Sequence, residues 1–133
     1  MSDESLLSLA ASLLRPVTVK GRLFGDVSAA LESGSSRVYT GVCVDTPSWG
    51  LCAERSAMAA MITAGEYTVR RIIAVWRDPA NGRLHVLSPC GVCRQFLHDL
   101  GDENLSARIL LGSGRSATLA ELLPFHEWSE PEL

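Results

Sequence analysis

Residues 84–101 read LHVLSPCGVCRQFLHDLG, and this stretch decides how the chain folds. Leu84 to Leu87 is a short β-prone run. Ser88-Pro89 then places a cap and a proline at the first helical position, where the missing N–H costs nothing. The helix so begun runs to about Leu100 and is stopped by Gly101. A strand feeding straight into a helix, with Cys90 and Cys93 at the junction, is the unit from which the rest is read.

Upstream, residues 51–64 are dense in Ala, Met and Leu and stop at Gly65, which predicts a helix apolar nearly all round and therefore buried. Cys52 stands at its start. Residues 71–77 (RIIAVWR) are strand-like, and the turn formers Asp78-Pro79-Ala80-Asn81-Gly82 link them to 84–87 by a hairpin or a bent connection. Two further strands, 27–32 and 37–45, flank the short loop Ser33-Gly34-Ser35. Leu6, Leu9, Ala10, Leu13 and Leu14 mark one face of a first helix closed by Arg15-Pro16. Residues 107–111 add a strand, and 118–123 a short helix ended by Pro124. An initial hairpin followed by alternating helices and strands predicts an α/β fold: a mixed five-stranded sheet with helices on both faces, in three α/β/α layers.

With 133 residues the chain is expected to be a single domain over 1–133. Hydrophobic residues make up 47% and charged ones 20%, which excludes a disordered tail. The net charge is −3 and Lys and Arg form no run, so long nucleic acid is not expected as a partner. Asp3 and Glu4 stand where an export signal carries positive charge, and no stretch approaches the ~20 apolar residues of a membrane span. A cytoplasmic location without a membrane partner is expected. Four cysteines in a reducing compartment point to metal or catalysis rather than disulfides.

Cys52, Cys90 and Cys93 fall at the starts of two helices. First-turn side chains lean toward the helix N-terminus, where unpaired N–H groups and the dipole favour thiolate, the form that binds metal. Cys90 and Cys93 share a helix face, and Cys52 supplies a third ligand. A structural zinc site closes with four protein ligands, whereas a catalytic one leaves a position open. Glu54, two residues beyond Cys52, is an acid that can reach the same open end and act as the catalytic proton carrier for water activated by Zn2+. A redox CxxC pair and a purely structural zinc knot are the bland alternatives, and neither uses Glu54.

The strings Cys52-Ala53-Glu54-Arg55 and Ser88-Pro89-Cys90-Gly91-Val92-Cys93-Arg94-Gln95 together resemble the paired signature of the cytidine deaminase superfamily, over about 27–128 of the chain. The resemblance implies the cytidine deaminase-like α/β/α fold, a Zn2+ cofactor held by Cys52, Cys90 and Cys93, and hydrolytic removal of an exocyclic amine with Glu54 as the catalytic acid/base. A cysteine at position 52 is similar to the branch acting on free nucleosides, which implies a homotetramer with cytidine or deoxycytidine as small-molecule substrate. In that branch an arginine after the glutamate offsets thiolate charge, a role implied for Arg55. The Ala53 N–H is implied to hold the base carbonyl, and the Ser88 carbonyl to accept from the leaving amine.

Where nucleoside deaminases of this type carry Asn-Val-Glu-Asn to hold the sugar, this chain has Cys43-Val44-Asp45-Thr46 and keeps only an acid. Asp45 is read either as a hydroxyl contact or as a water-facing side chain. YTGVCV, SPCGVCRQ, ELLP and the short 46–52 loop look like blasticidin-S deaminases, which makes a cytosine-bearing antibiotic the alternative substrate. A non-catalytic zinc protein that binds nucleosides is the alternative of another class. Phe24 is read as an aromatic near the base or as a core residue. Trp128 is read as a cover for the site or as core or interface packing. Cys43 is read as a small core residue, with the pocket lining as the second reading. Of the histidines, His85 is placed on the strand face opposite Leu84 and Val86, His98 on a polar stripe with Arg94, and His126 in the tail; none is read as a ligand.

Overall fold

The computed structural model describes residues 1–127. In chain order they form α1 (Asp3–Ser12), β1 (Val17–Val19), β2 (Arg22–Phe24), β3 (Val27–Ser33), β4 (Val38–Val42), α2 (Ala53–Thr63), β5 (Val69–Arg77) and β6 (Leu84–Leu87). Then follow α3 (Gly91–Asp99), a 3-10 turn (Asp102–Ser106), β7 (Arg108–Gly112), β8 (Arg115–Thr118) and α4 (Leu119–Leu122).

The architecture is α/β with a mixed sheet between two helical layers. Strands run in the order β4-β3-β5-β7-β8, and β6 pairs with the second half of β5, on the edge whose first half pairs with β7. The β5–β7 ladder is parallel and the rest are antiparallel. Alternation along β5 explains its continuous apolar run. Ile73 and Val75 face α1, packing with Leu6, Ala10, Ala30 and Leu110. Ile72 and Ala74 face the other way, into a core with Met58, Met61, Leu97 and Leu119. A strand covered on both faces has no use for polar positions.

The sheet holds one strand more than the five expected. Its extra member β8 (RSAT) is a four-residue polar strand with no apolar alternation to signal it. The separate β1–β2 hairpin was likewise unforeseen; each strand has three residues, and most of them are exposed. The expected strand over 37–45 is shorter, because pairing with β3 ends near Val42 and Val44 instead bridges Leu51, closing the loop that leads into α2. The N-cap of α3 is Cys90, not Ser88. The chain is still extended at Cys90 (φ −69°, ψ 169°), and Ser88 turns its hydroxyl to Arg94.

Gly41 sets the seat of α2. A Cβ there would lie 2.4 Å from the Ala57 nitrogen and 2.7 Å from Ser56, so only glycine lets the helix backbone rest on β4. At the far end, the buried Asn104 accepts from the Val69 N–H (2.8 Å) and donates to the carbonyls of Tyr67 (2.9 Å) and Leu97 (3.1 Å). These contacts lock the end of α3 to the start of β5. Both helices that carry cysteines are thereby fixed to the sheet.

Candidate metal centre and adjoining cleft

Cys52 caps α2 and Cys90 caps α3, each in extended backbone, so their side chains project past the helix ends. Cys93 follows in the first turn of α3 and is buried. The three sulfurs all lie within 4.8 Å of one another, with Cys52 and Cys90 3.5 Å apart. Three soft donors converging at two positive helix ends form a group that could hold one metal ion, and thiolates of this kind suit zinc.

The two thiols of α3 are shifted in opposite directions. Burial first, then the Glu54 carboxylate, pushes the Cys93 thiol far above its ordinary value. Burial also opposes ionisation of Cys90, but the backbone N–H groups of Cys93 and Val92 and the Cys52 thiol hold it below the usual thiol range. Arg55 points Nη2 at the Cys52 sulfur (3.7 Å) and the Gly50 carbonyl (3.5 Å). Burial works against its charge, yet Cys52 and Cys93 hold its pKa above the usual value.

Glu54 is 6% exposed. Burial raises its pKa above 4.5, with its own backbone N–H and Arg55 pulling the other way. A cavity of about 10 Å³ beside it is walled by apolar side chains including Met58, Leu87, Leu97 and Ile109. Ala53, fully buried, is the first residue of α2, where a helix has no internal acceptor for the N–H.

The loop before α3 is held by a residue that sequence reasoning missed in this role. Arg94 donates from Nε to the Pro89 carbonyl (2.8 Å), from Nη1 to the Leu122 carbonyl (2.8 Å) and from Nη2 to the Ser88 hydroxyl (2.9 Å). It ties the cysteine loop to the end of α4. His98, on the polar stripe with Arg94, lies edge-on to His126 at 4.7 Å and contacts Asp102 at 3.0 Å. The only sequence signal was position: an arginine directly after Cys93 can reach back to its own loop.

An open cleft of about 390 Å³ adjoins Cys52 and Arg55, lined also by Leu23, Val27, Cys43 and Asp45. Asp45 is paired with Arg22 at 3.3 Å, and both are half exposed. Cys43 borders the core and lines the cleft, so both readings of it hold; its thiol donates to Asp26 (2.9 Å), and burial raises its pKa. Arg22 and Asp26 had no motif to mark them. Phe24 is not brought to the cysteines, and lines a separate cleft with Leu13, Arg15 and Val42. Trp128 lies outside the described residues.

No family model matches the chain. The cytidine deaminase of Halalkalibacterium halodurans is 34% identical over 102 residues, 74% of each chain. The probable cytidine deaminase of Dictyostelium discoideum is 33% identical over 78 residues, 57% of this chain. The blasticidin-S deaminase of Bacillus cereus is 25% identical over 103 residues, 74% of each chain. The chain spans 50% of the Dictyostelium protein and 37% of a Shewanella halifaxensis cytidine deaminase. The crystal structure of cytidine deaminase from Mycobacterium tuberculosis superposes with a TM-score of 0.73 at 30% identity, covering 94% of this chain and 97% of that one. The fold is the cytidine deaminase-like α/β/α sandwich. The chain belongs to the cytidine deaminase family.

Proposed function

We propose that this protein is a zinc-dependent hydrolytic deaminase of a cytosine-type nucleoside, cytidine or deoxycytidine, releasing ammonia and the uracil product. The observation that carries the reading is the meeting of three cysteine sulfurs within 4.8 Å beside the buried carboxyl of Glu54.

Cys52, Cys90 and Cys93 would hold the ion. When bound, zinc supplies the Lewis-acid chemistry that makes water a nucleophile near neutral pH. Glu54 takes one proton of the attacking water and delivers it to the ring nitrogen, then carries the remaining hydroxyl proton to the departing amine as the new carbonyl forms, so one water enters and one ammonia leaves. The Ala53 N–H holds the base carbonyl and the Ser88 carbonyl receives the amine. Arg55 offsets the thiolate charge. Asp45, oriented by Arg22, holds a sugar hydroxyl at the rim of the cleft. Phe24 lines another cleft, which gives the base-contact reading no support.

We further propose one domain over residues 1–133 assembled as a homotetramer. Exposed apolar side chains at Val17, Val19, Trp49 and Val92 support self-association. Sedimentation tests it, a monomer overturning the assembly. Among the described residues no helix is long and apolar enough to cross a membrane.

The test is metal content together with ammonia release. One zinc per chain is expected, with turnover lost and zinc retained in Glu54→Gln. Turnover unchanged in that variant overturns the role of Glu54, and a zinc-loaded protein inert on every amine is a binding protein instead. The blasticidin-S reading is favoured by the Bacillus cereus relative and by Cys43 and Thr46 where asparagines would hold a sugar. Ultraviolet assays with cytosine, cytidine, deoxycytidine, blasticidin S and purine amines decide between them. Asp45→Ala should weaken nucleosides much more than free cytosine, and equal losses argue against the sugar contact.

A further inference from the structure

One row of side chains crosses the sheet at the level of the cysteines. Cys43 donates its N–H to the Val27 carbonyl (3.0 Å), Val27 lies opposite Trp76, and Trp76 lies opposite His85. The next row on the same face, Gly41, Ala29, Ala74 and Leu87, is the one α2 sits on, with Ala57 above Gly41. Moving from the covered row to the outer one is two residues of strand, about 7 Å. Moving back along α2 from Ala57 to Cys52 is five residues of helix, about 7.5 Å. The outer row therefore emerges where the helix ends and the cysteines begin.

Two members of that row, Cys43 and Val27, line the cleft with Cys52 and Arg55. Trp76 is the immediate cross-strand neighbour of Val27, at a side-chain separation of about 5 Å. Its half-buried indole is braced by the His85 ring, with centroids 5.4 Å apart and planes tilted by 32°. A bulky, rigid aromatic held at the end of a row of small side chains is suited to contact a planar heterocycle.

We propose that Trp76 is a specificity-determining wall of the deaminase site, packing its indole against the pyrimidine ring of the substrate, with His85 as the positioning residue that holds the indole. This rests on the deaminase reading above. Because the contact is to the base, Trp76→Ala raises KM for cytosine and cytidine by the same factor, roughly tenfold from the usual strength of base–aromatic stacking. Zinc content and kcat stay near those of the parent. Trp76→Phe recovers most of the affinity, and His85→Ala raises KM a few-fold.

The experiment measures kcat and KM for both substrates in the parent, Trp76→Ala, Trp76→Phe and His85→Ala, with uridine titrated against tryptophan emission. Uridine quenches the parent, and the quench is lost in Trp76→Phe although its KM is close to that of the parent. Parent turnover with an unchanged KM in a folded, zinc-loaded Trp76→Ala overturns the inference alone. If Trp76→Ala does not fold, a quench that persists unchanged in Trp76→Phe overturns it equally. A parent that deaminates neither substrate overturns the underlying reading instead.

Discussion

Nη2 of Arg55 lies 3.7 Å from the sulfur of Cys52, and the same guanidinium faces Cys93. One cation thus serves two of the three sulfurs. Three thiolates on a divalent ion leave a net charge of −1, which a neighbouring guanidinium offsets. Arg55→Gln should weaken zinc retention by about 10- to 100-fold in chelator competition, the usual loss when a supporting partner of a ligand is removed. Arg55→Lys should fall between, because a point charge cannot spread over two sulfurs as a planar fork does.

Glu54 sets a pH signature of opposite sign to that of a surface acid. Its folded pKa is raised by burial above 4.5, so ionising it in the folded chain opposes folding. Stability linked to this group is fully present below pH 4.5 and is lost as pH rises through the folded value. Metal-free Glu54→Gln should therefore be more stable than the metal-free parent at pH 7 by about 1–3 kcal/mol, the cost of a poorly solvated group. Urea denaturation from pH 4 to 8 should show that difference vanish at the acid end.

Gly41 links stability to the metal centre. Gly41→Ala sets a Cβ 2.4 Å from the Ala57 nitrogen, and backbone cannot yield as a flexible side chain does. The helix must lift, costing about 1–3 kcal/mol and carrying Cys52 away from Cys90. A lowered Tm together with weakened zinc binding is expected. A lowered Tm with zinc affinity unchanged would separate the helix seat from the site.

Glu66 behaves in the opposite way to Glu54. Its carboxylate accepts hydroxyl bonds from Ser35, Tyr39 and Ser33, which with Arg37 hold its pKa down to about 2. A depressed carboxylate contributes stability above its ordinary value of 4.5 and loses it as pH falls toward 2. Glu66→Gln should therefore be less stable than the parent at pH 6 and equal to it near pH 2. Thermal melts across that range check it.

The positions of α2, α3, β3 and β5 were legible because apolar periodicity and glycine stops reflect burial that the fold then supplies. The cysteines and Glu54 were legible because their spacing at helix starts limits where the side chains can point. β8 and the β1–β2 hairpin were not, since their strands have three or four mostly polar or exposed residues and draw their pairing from neighbours. Nor was the clamp made by Arg94, whose partners Pro89 and Leu122 are backbone carbonyls that carry no residue signature.

The amino-acid order alone determined the alternation of helices and strands and the candidate site residues, because both depend on local spacing along one chain. Tertiary structure decided the rest: how closely the three sulfurs approach, that Arg55 serves two of them, that Asp45 pairs with Arg22, and that Trp76 stands in the row beside the cleft. Apart from Arg55 with Cys52, those relations join residues far apart in sequence, and the pairing register of the sheet and the close seat of α2 on Gly41 bring them within reach.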